Sequence, residues 1–89
     1  MTDDAPWALA FESRAERDLG RLDPPVARRV ISALDRLLAQ DPSVDLRRLQ
    51  GSDEWRLRVG DWRVRLQLEF NTRTVIVVRI LPRGRAYER

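Results

Sequence analysis

An α+β fold, a small sheet with two helices layered on one face, follows from three observations on this chain. Apolar residues recur at steps of three and four from Ala15 to Leu38, the signature of helices with one buried stripe. From Trp55 to Phe70 they alternate with charged or polar residues, as strands with one buried face require. Gly60-Asp61 then divides that alternating stretch where a two-residue hairpin turn would fall. Helical and strand-like segments that follow one another, rather than interleave, place the helices together on one side of an antiparallel-rich sheet. At 89 residues the chain has room for a single core, so one domain is expected over residues 1–89.

The elements can be justified in order. Trp7, Leu9 and Phe11 alternate with Ala8 and Ala10, which predicts a short first strand. Ser13 begins Ser-Arg-Ala-Glu, where Glu16 stands at the spacing of a capping box, and Ala15, Leu19 and Leu22 follow on one helical face. Asp23 and Pro24 mark a second helix start, because proline lacks only an N–H that the first turn leaves unused. Val26, Val30, Ala33, Leu34, Leu37 and Leu38 form its apolar stripe, and Asp41-Pro42 ends it. The two helices are expected to form a hairpin on the sheet. Residues 43–53 read as a linker anchored by Leu46 and Leu49, with Gly51 permitting a turn. Two strands flank Gly60-Asp61, and Thr74 to Leu81, almost continuously apolar, reads as a central strand covered on both faces. The predicted order is strand, two-helix hairpin, then a three-stranded antiparallel meander, with a polar tail from Pro82 to Arg89.

Composition narrows the chemistry. The chain has no Cys and no His, and all seventeen cationic residues are Arg. That excludes disulfides, thiolate or imidazole nucleophilic catalysis, Schiff-base chemistry and a phosphate-loop lysine, and no metal or other cofactor is expected. No run approaches the roughly 20 apolar residues of a membrane span, and Met-Thr-Asp-Asp is too acidic for a signal peptide, so a soluble, cytoplasmic protein without a membrane partner is expected. The net charge of +3 is unevenly distributed. Residues 1–45 carry six Arg against nine carboxylates, whereas residues 46–89 carry eleven Arg against five. A basic half of this kind points to an anionic partner, most simply nucleic acid.

The hairpin locates that charge. A two-residue turn at Gly60-Asp61 pairs Val59 with Trp62, Leu57 with Val64 and Trp55 with Leu66 on one face. On the other face it sets Arg58 opposite Arg63 and Arg56 opposite Arg65. Like charges directly opposed cost up to about 1 kcal/mol per pair, a poor arrangement for stability alone. For the following hairpin, a three-residue loop at Asn71–Arg73 places Arg79 opposite Arg65 and directs Ile76, Val78 and Ile80 to the core. Arg56, Arg58, Arg63, Arg65 and Arg79 then share one open face, with Arg83, Arg85 and Tyr87 leaving the last strand beside it. By parity Glu69 is the carboxylate expected on that face, too little to neutralise it. Planar bidentate donors in this number suit the repeated anions of a phosphate backbone.

These residues carry a resemblance to the RelE/ParE superfamily of bacterial toxin–antitoxin toxins. Ala15 to Leu22 resembles its early A-x-x-D-L-x-x-L helix, Leu57-Arg-Val-Gly-Asp-Trp-Arg-Val64 its R-x-G-D-Y-R-V hairpin, and Arg83-Gly-Arg-Ala-Tyr87 its terminal R-x-x-x-Y. The resemblance spans nearly the whole chain and implies the RelE-like fold. For the RelE branch it implies a ribosome-dependent endoribonuclease that cuts mRNA without a metal, with the ribosome, mRNA and a cognate antitoxin as partners, the last in a toxin–antitoxin hetero-oligomer.

Carried over by position, the resemblance makes Arg63, Arg83 and Tyr87 candidate catalytic residues and Arg56 and Arg58 phosphate contacts. Arg65 and Arg79 enter from the strand pairing, and Arg85 from its place beside them, as further RNA-binding candidates. Arg63 also has a scaffold reading, paired with Asp61. Tyr87 could stack on a splayed base or act as acid or base, and Glu69 and Glu88 are the other proton carriers in reach of the reading. The superfamily also contains ParE-like gyrase inhibitors, so that alternative stays open beside the nuclease, as does a binding module that serves only its antitoxin.

Overall fold

The computed structural model describes residues 6–84 and contains two helices and one five-stranded sheet. The elements are β1 (Ala8–Phe11), α1 (Ser13–Gly20), α2 (Pro24–Leu38), β2 (Asp45–Arg48), β3 (Glu54–Val59), β4 (Trp62–Glu69) and β5 (Thr74–Pro82). In space the strands run β1-β5-β4-β3-β2. β1 lies parallel to β5 and the other neighbours are antiparallel. The α+β class and the order strand, helix pair, meander are as expected from the sequence.

The core forms where the helices meet the sheet. Ala15, Val30, Ala33 and Leu34 from the helices are buried against Leu57, Val64, Leu66, Val75, Val77 and Ile80. Trp55 and Trp62 are half-buried against this cluster, on the covered side, as their parity requires. No described helix is long and apolar enough to cross a membrane.

Three local expectations are corrected. The capping box at Ser13 and Glu16 does not form: Glu12 occupies the N-cap and makes no side-chain cap hydrogen bond, and neither does Asp23, which does precede Pro24 at the start of α2. The predicted linker, residues 43–53, contains β2, making the meander four-stranded. Asp45-Leu46-Arg47-Arg48 has one apolar residue in four, so it shows no alternation, yet it pairs Asp45 with Arg58, Leu46 with Leu57 and Arg47 with Arg56.

The third correction concerns β5. Its C-terminal half pairs as the three-residue loop predicts, Arg65 with Arg79 and Val64 with Ile80, but Leu66 pairs with Val77. Val78 is therefore the extra residue of a β-bulge, and the bulge reverses side-chain parity along the strand. Val75 and Val77 are buried with Ile80, while Ile76 and Val78 are only half-buried. The loop joining β4 to β5 has four residues, Phe70–Arg73, with Arg73 at a φ of 53°. The central place of β5, between β1 and β4, agrees with its apolar sequence, although both helices pack on the same face of the sheet as that core.

α1 also closes an edge. β1 pairs with β5 only as far as Val77, and the Glu12 N–H donates to the Val77 carbonyl as the chain turns into α1. Beyond that point Asp18 replaces a strand. Its Oδ2 accepts the Ile80 N–H at 2.9 Å and Arg79 Nε–H at 2.8 Å, and its Oδ1 accepts Arg79 Nη2–H at 3.2 Å. Burial opposes the charge on this carboxylate, but the Arg79 and Ile80 hydrogen bonds, with the charges of Arg79 and Arg14, outweigh burial and hold its pKa below the ordinary aspartate value.

Candidate nucleic-acid interface

The face of the sheet opposite the helices is built by the β3–β4 hairpin. Gly60, at the first central position of the turn, has a φ of 59°, a left-handed conformation that glycine adopts without strain. The register is the one expected: Val59 with Trp62, Leu57 with Val64, Arg58 with Arg63 and Arg56 with Arg65. Each neighbour across the sheet extends these pairs into rows. One row runs Arg47, Arg56, Arg65, Arg79 across β2, β3, β4 and β5, four arginines on four consecutive strands. The adjacent row runs Asp45, Arg58, Arg63, Leu81.

The members of these rows differ in how far they are committed. Arg79 is claimed by Asp18 at the edge of the sheet. Arg65 donates from Nε to Glu54 Oε1 at 2.7 Å. Both arginine side chains are only 22% exposed. Arg58 and Arg47 reach Asp45 at 3.9 and 3.7 Å and remain 55% and 74% exposed, so these two are the arginines most open to a ligand. Arg63 Nη1 donates to the Gly60 carbonyl at 2.8 Å and to the Trp62 carbonyl at 3.0 Å. The guanidinium thus braces the turn through the backbone, not through Asp61.

The last strand brings Arg83 to the same place. The Arg83 N–H donates to the Asp61 carbonyl at 2.8 Å, so the exposed Arg83 leaves β5 beside the turn that Arg63 braces. Arg56, Arg58, Arg63, Arg65 and Arg83 are therefore gathered at one end of one face, as the sequence led us to expect for them. Arg85, Tyr87 and Glu88 lie outside the described residues. Glu69 stands opposite Thr74 at the other end of β4, six residues from Arg63 and thus about 20 Å along the strand.

Two members of this face escaped the sequence reading. Glu54 shares the parity of Arg56 and Arg58, and that parity was the available signal for its pairing with Arg65. Arg47 lay in the apparent linker and could be placed only once β2 was known. Asp18 is a third omission, because a lone carboxylate on a helix gives no sign that it will cap a strand edge sixty residues away. A separate groove between α2 and the sheet is lined by apolar side chains such as Trp7, Leu37, Leu68 and Phe70 together with Asp41 and Arg73, and Phe70 packs edge-on to Trp7 at 5.5 Å.

Comparison with known proteins identifies the scaffold. Residues 9–87 match the family model described as the ParE toxin of the type II toxin–antitoxin system, parDE. The structure is similar to that of an archaeal RelE–RelB complex from Pyrococcus horikoshii OT3, with a TM-score of 0.75, 25% identity, and coverage of 92% of this chain and 100% of that one. The RelBE2 toxin–antitoxin complex of Mycobacterium tuberculosis gives a TM-score of 0.72 at 23% identity, covering 89% and 100%. The isolated RelE toxin of E. coli gives 0.74 at 19% identity, covering 91% and 88%. At such low identity these last two likenesses speak to the fold. No curated protein matches the sequence. The family match over almost the whole chain, on a RelE-like fold, means that this chain belongs to the ParE toxin family within the RelE/ParE superfamily of type II toxin–antitoxin toxins.

Proposed function

We propose that this toxin is a metal-independent endoribonuclease that cuts mRNA on the ribosome and is neutralised by a cognate antitoxin in a hetero-oligomer. The observation that carries the reading is the convergence of Arg63 and Arg83 at the end of a face whose arginines oppose one another across strands. A pentavalent phosphate intermediate would relieve that opposition at the moment it forms, which is the condition for electrostatic catalysis. A 2′-hydroxyl attacks the adjacent phosphorus, its proton passes to a base, the bond to the 5′-oxygen breaks, and that oxygen takes up a proton. The products are a cyclic phosphate and a 5′-hydroxyl. Arginine remains protonated throughout, so Arg63 and Arg83 act as clamps on the phosphorane charge while Arg56 and Arg58 hold flanking phosphates. Tyr87 stacks on a splayed base, the role its resemblance to the family's terminal tyrosine supports. Glu69 is too distant from Arg63 to serve as the base, which leaves Tyr87, Glu88 or a ribosomal group. The antitoxin partnership is supported by the similar toxins solved with their antitoxins.

A second reading, inhibition of DNA gyrase, is favoured by the ParE description of the matching family. Expression of the toxin, with Arg63→Ala and Tyr87→Ala beside it, separates the two when mRNA 5′ ends are mapped. New 5′ ends inside ribosome-bound messages, reduced at least tenfold by each substitution, are expected. Growth arrest with intact messages and broken or relaxed chromosomal DNA would overturn the nuclease reading in favour of the gyrase one.

A further inference from the structure

We infer that single-stranded RNA enters this face over the β2 edge, across the strands, before running toward the turn, and that Arg47 is a phosphate ligand at that entrance. The inference rests on the RNA reading above and specifies the path through the same site. It begins from the row Arg47, Arg56, Arg65, Arg79, which runs across the strands rather than along them. With neighbouring strands about 4.8 Å apart, Arg47 and Arg65 present cations about 10 Å from end to end, in a line perpendicular to the strand axes. Along the strands the pattern breaks off only away from the turn, where the face continues past Arg65 to Gln67 and Glu69 and past Arg56 to Glu54; toward the turn Arg58, Arg63 and Arg83 extend it. A polyanion therefore meets positive charge on the way in from the β2 edge, and carboxylates on the way in from the end of β3 and β4 away from the turn.

The two ends of that row are not equivalent. At the β5 end Arg79 is held by two hydrogen bonds to Asp18 and turned toward α1. At the β2 end Arg47 is three-quarters exposed, and its contact with Asp45 is a long 3.7 Å pair of the kind that contributes little in water and yields readily to another anion. The adjacent row ends at this edge in Asp45 itself, which disfavours a phosphate there. Arg47 is thus the gateway, and the backbone passes from it over Arg56 toward the Arg63 and Arg83 end of the face.

The neighbouring residue supplies the control. Arg48 is next in the same edge strand, is also exposed and carries the same charge, but its alternation points it to the opposite side of the sheet, where it reaches Asp53 at 3.9 Å and the Ser52 carbonyl. The full chain is titrated onto a short fluorescent single-stranded oligoribonucleotide at several salt concentrations, as wild type and as Arg47→Ala, Arg48→Ala and Arg56→Ala. Arg47→Ala is expected to weaken binding about fivefold and to reduce the slope of log affinity against log salt by about 0.7, the loss of one single-strand phosphate contact, whereas Arg48→Ala changes neither. Equal effects of Arg47→Ala and Arg48→Ala, with a loss in Arg56→Ala, would overturn the path and leave the RNA reading standing. No loss in Arg56→Ala either would overturn both. Displacement of the RNA by polyglutamate at equal charge concentration would assign the face to an acidic protein segment and likewise overturn the path.

Discussion

The two faces of the sheet are made by the same strands and obey opposite rules. On the helix side, Leu57, Val64, Leu66 and Val77 are fully buried in a cluster of apolar side chains. On the other side the same hairpin opposes Arg58 to Arg63 and Arg56 to Arg65, and β2 adds Arg47 to the row. The first arrangement lowers the free energy of the fold by removing apolar surface from water. The second raises it, and the carboxylates placed among the arginines, Asp45 and Glu54, are fewer than the charges they face. Alternation along a strand thus lets one segment carry stability on one set of positions and charge on the other, with little cross-talk.

This contrast can be broken most forcefully on the covered side. Leu57→Ala, at a fully buried position in the middle of the sheet, is expected to cost about 3 kcal/mol in urea unfolding. A loss below about 1 kcal/mol would mean that the two faces share the burden of stability. The seam between the faces comes next. Asp18→Ala removes the acceptor of the Ile80 N–H and of Arg79 together and is expected to cost about 2 kcal/mol. Asp18 also has a pH signature. Its pKa is lowered on folding, so its contribution is complete above the ordinary value of 3.8 and is lost as the pH falls through the folded value. Stability measured below about pH 4 should therefore decline less steeply in Asp18→Asn than in the wild type; parallel curves would show that the carboxylate is not linked to folding. The smallest effect belongs to the open face. Arg47→Thr relieves its opposition to Arg56 and favours the strand, so stability at low salt should change by less than about 0.5 kcal/mol, in the upward direction. A loss of 1 kcal/mol or more would make the arginine row a structural device.

Legibility in the sequence follows the same division. The helix stripes and the alternation around Gly60-Asp61 are local signals repeated over many residues, and they specified the fold class, the β3–β4 register and the arginine pairs on its open face. What escaped is set by contacts distant in sequence. β2 is a strand because β3 offers it an edge, not because Asp-Leu-Arg-Arg prefers one. The bulge at Val78 has no mark in a run of Thr-Val-Ile-Val-Val, where either face of the strand can be buried at almost equal gain. Glu54 was legible by parity, and its pairing with Arg65 shows that the open face holds more negative charge than Glu69 alone would give it.

The bulge has a consequence for how this strand can vary. Because Val78 stands between two halves of opposite parity, β5 behaves as two short strands spliced in mid-sheet. Thr74 to Val77 answers to the packing of β1 and the helices, and Arg79 to Pro82 to the placement of charge and of Arg83 beside the turn. Drawing Val78 into the ladder as an ordinary paired residue would rejoin the halves in a single phase, turning the position of Arg79 toward the apolar interior and that of Ile80 toward solvent, whereas deleting it would leave both where they are. The polarity of the C-terminal half therefore hangs on Val78 standing outside the ladder, not on the identity of any side chain.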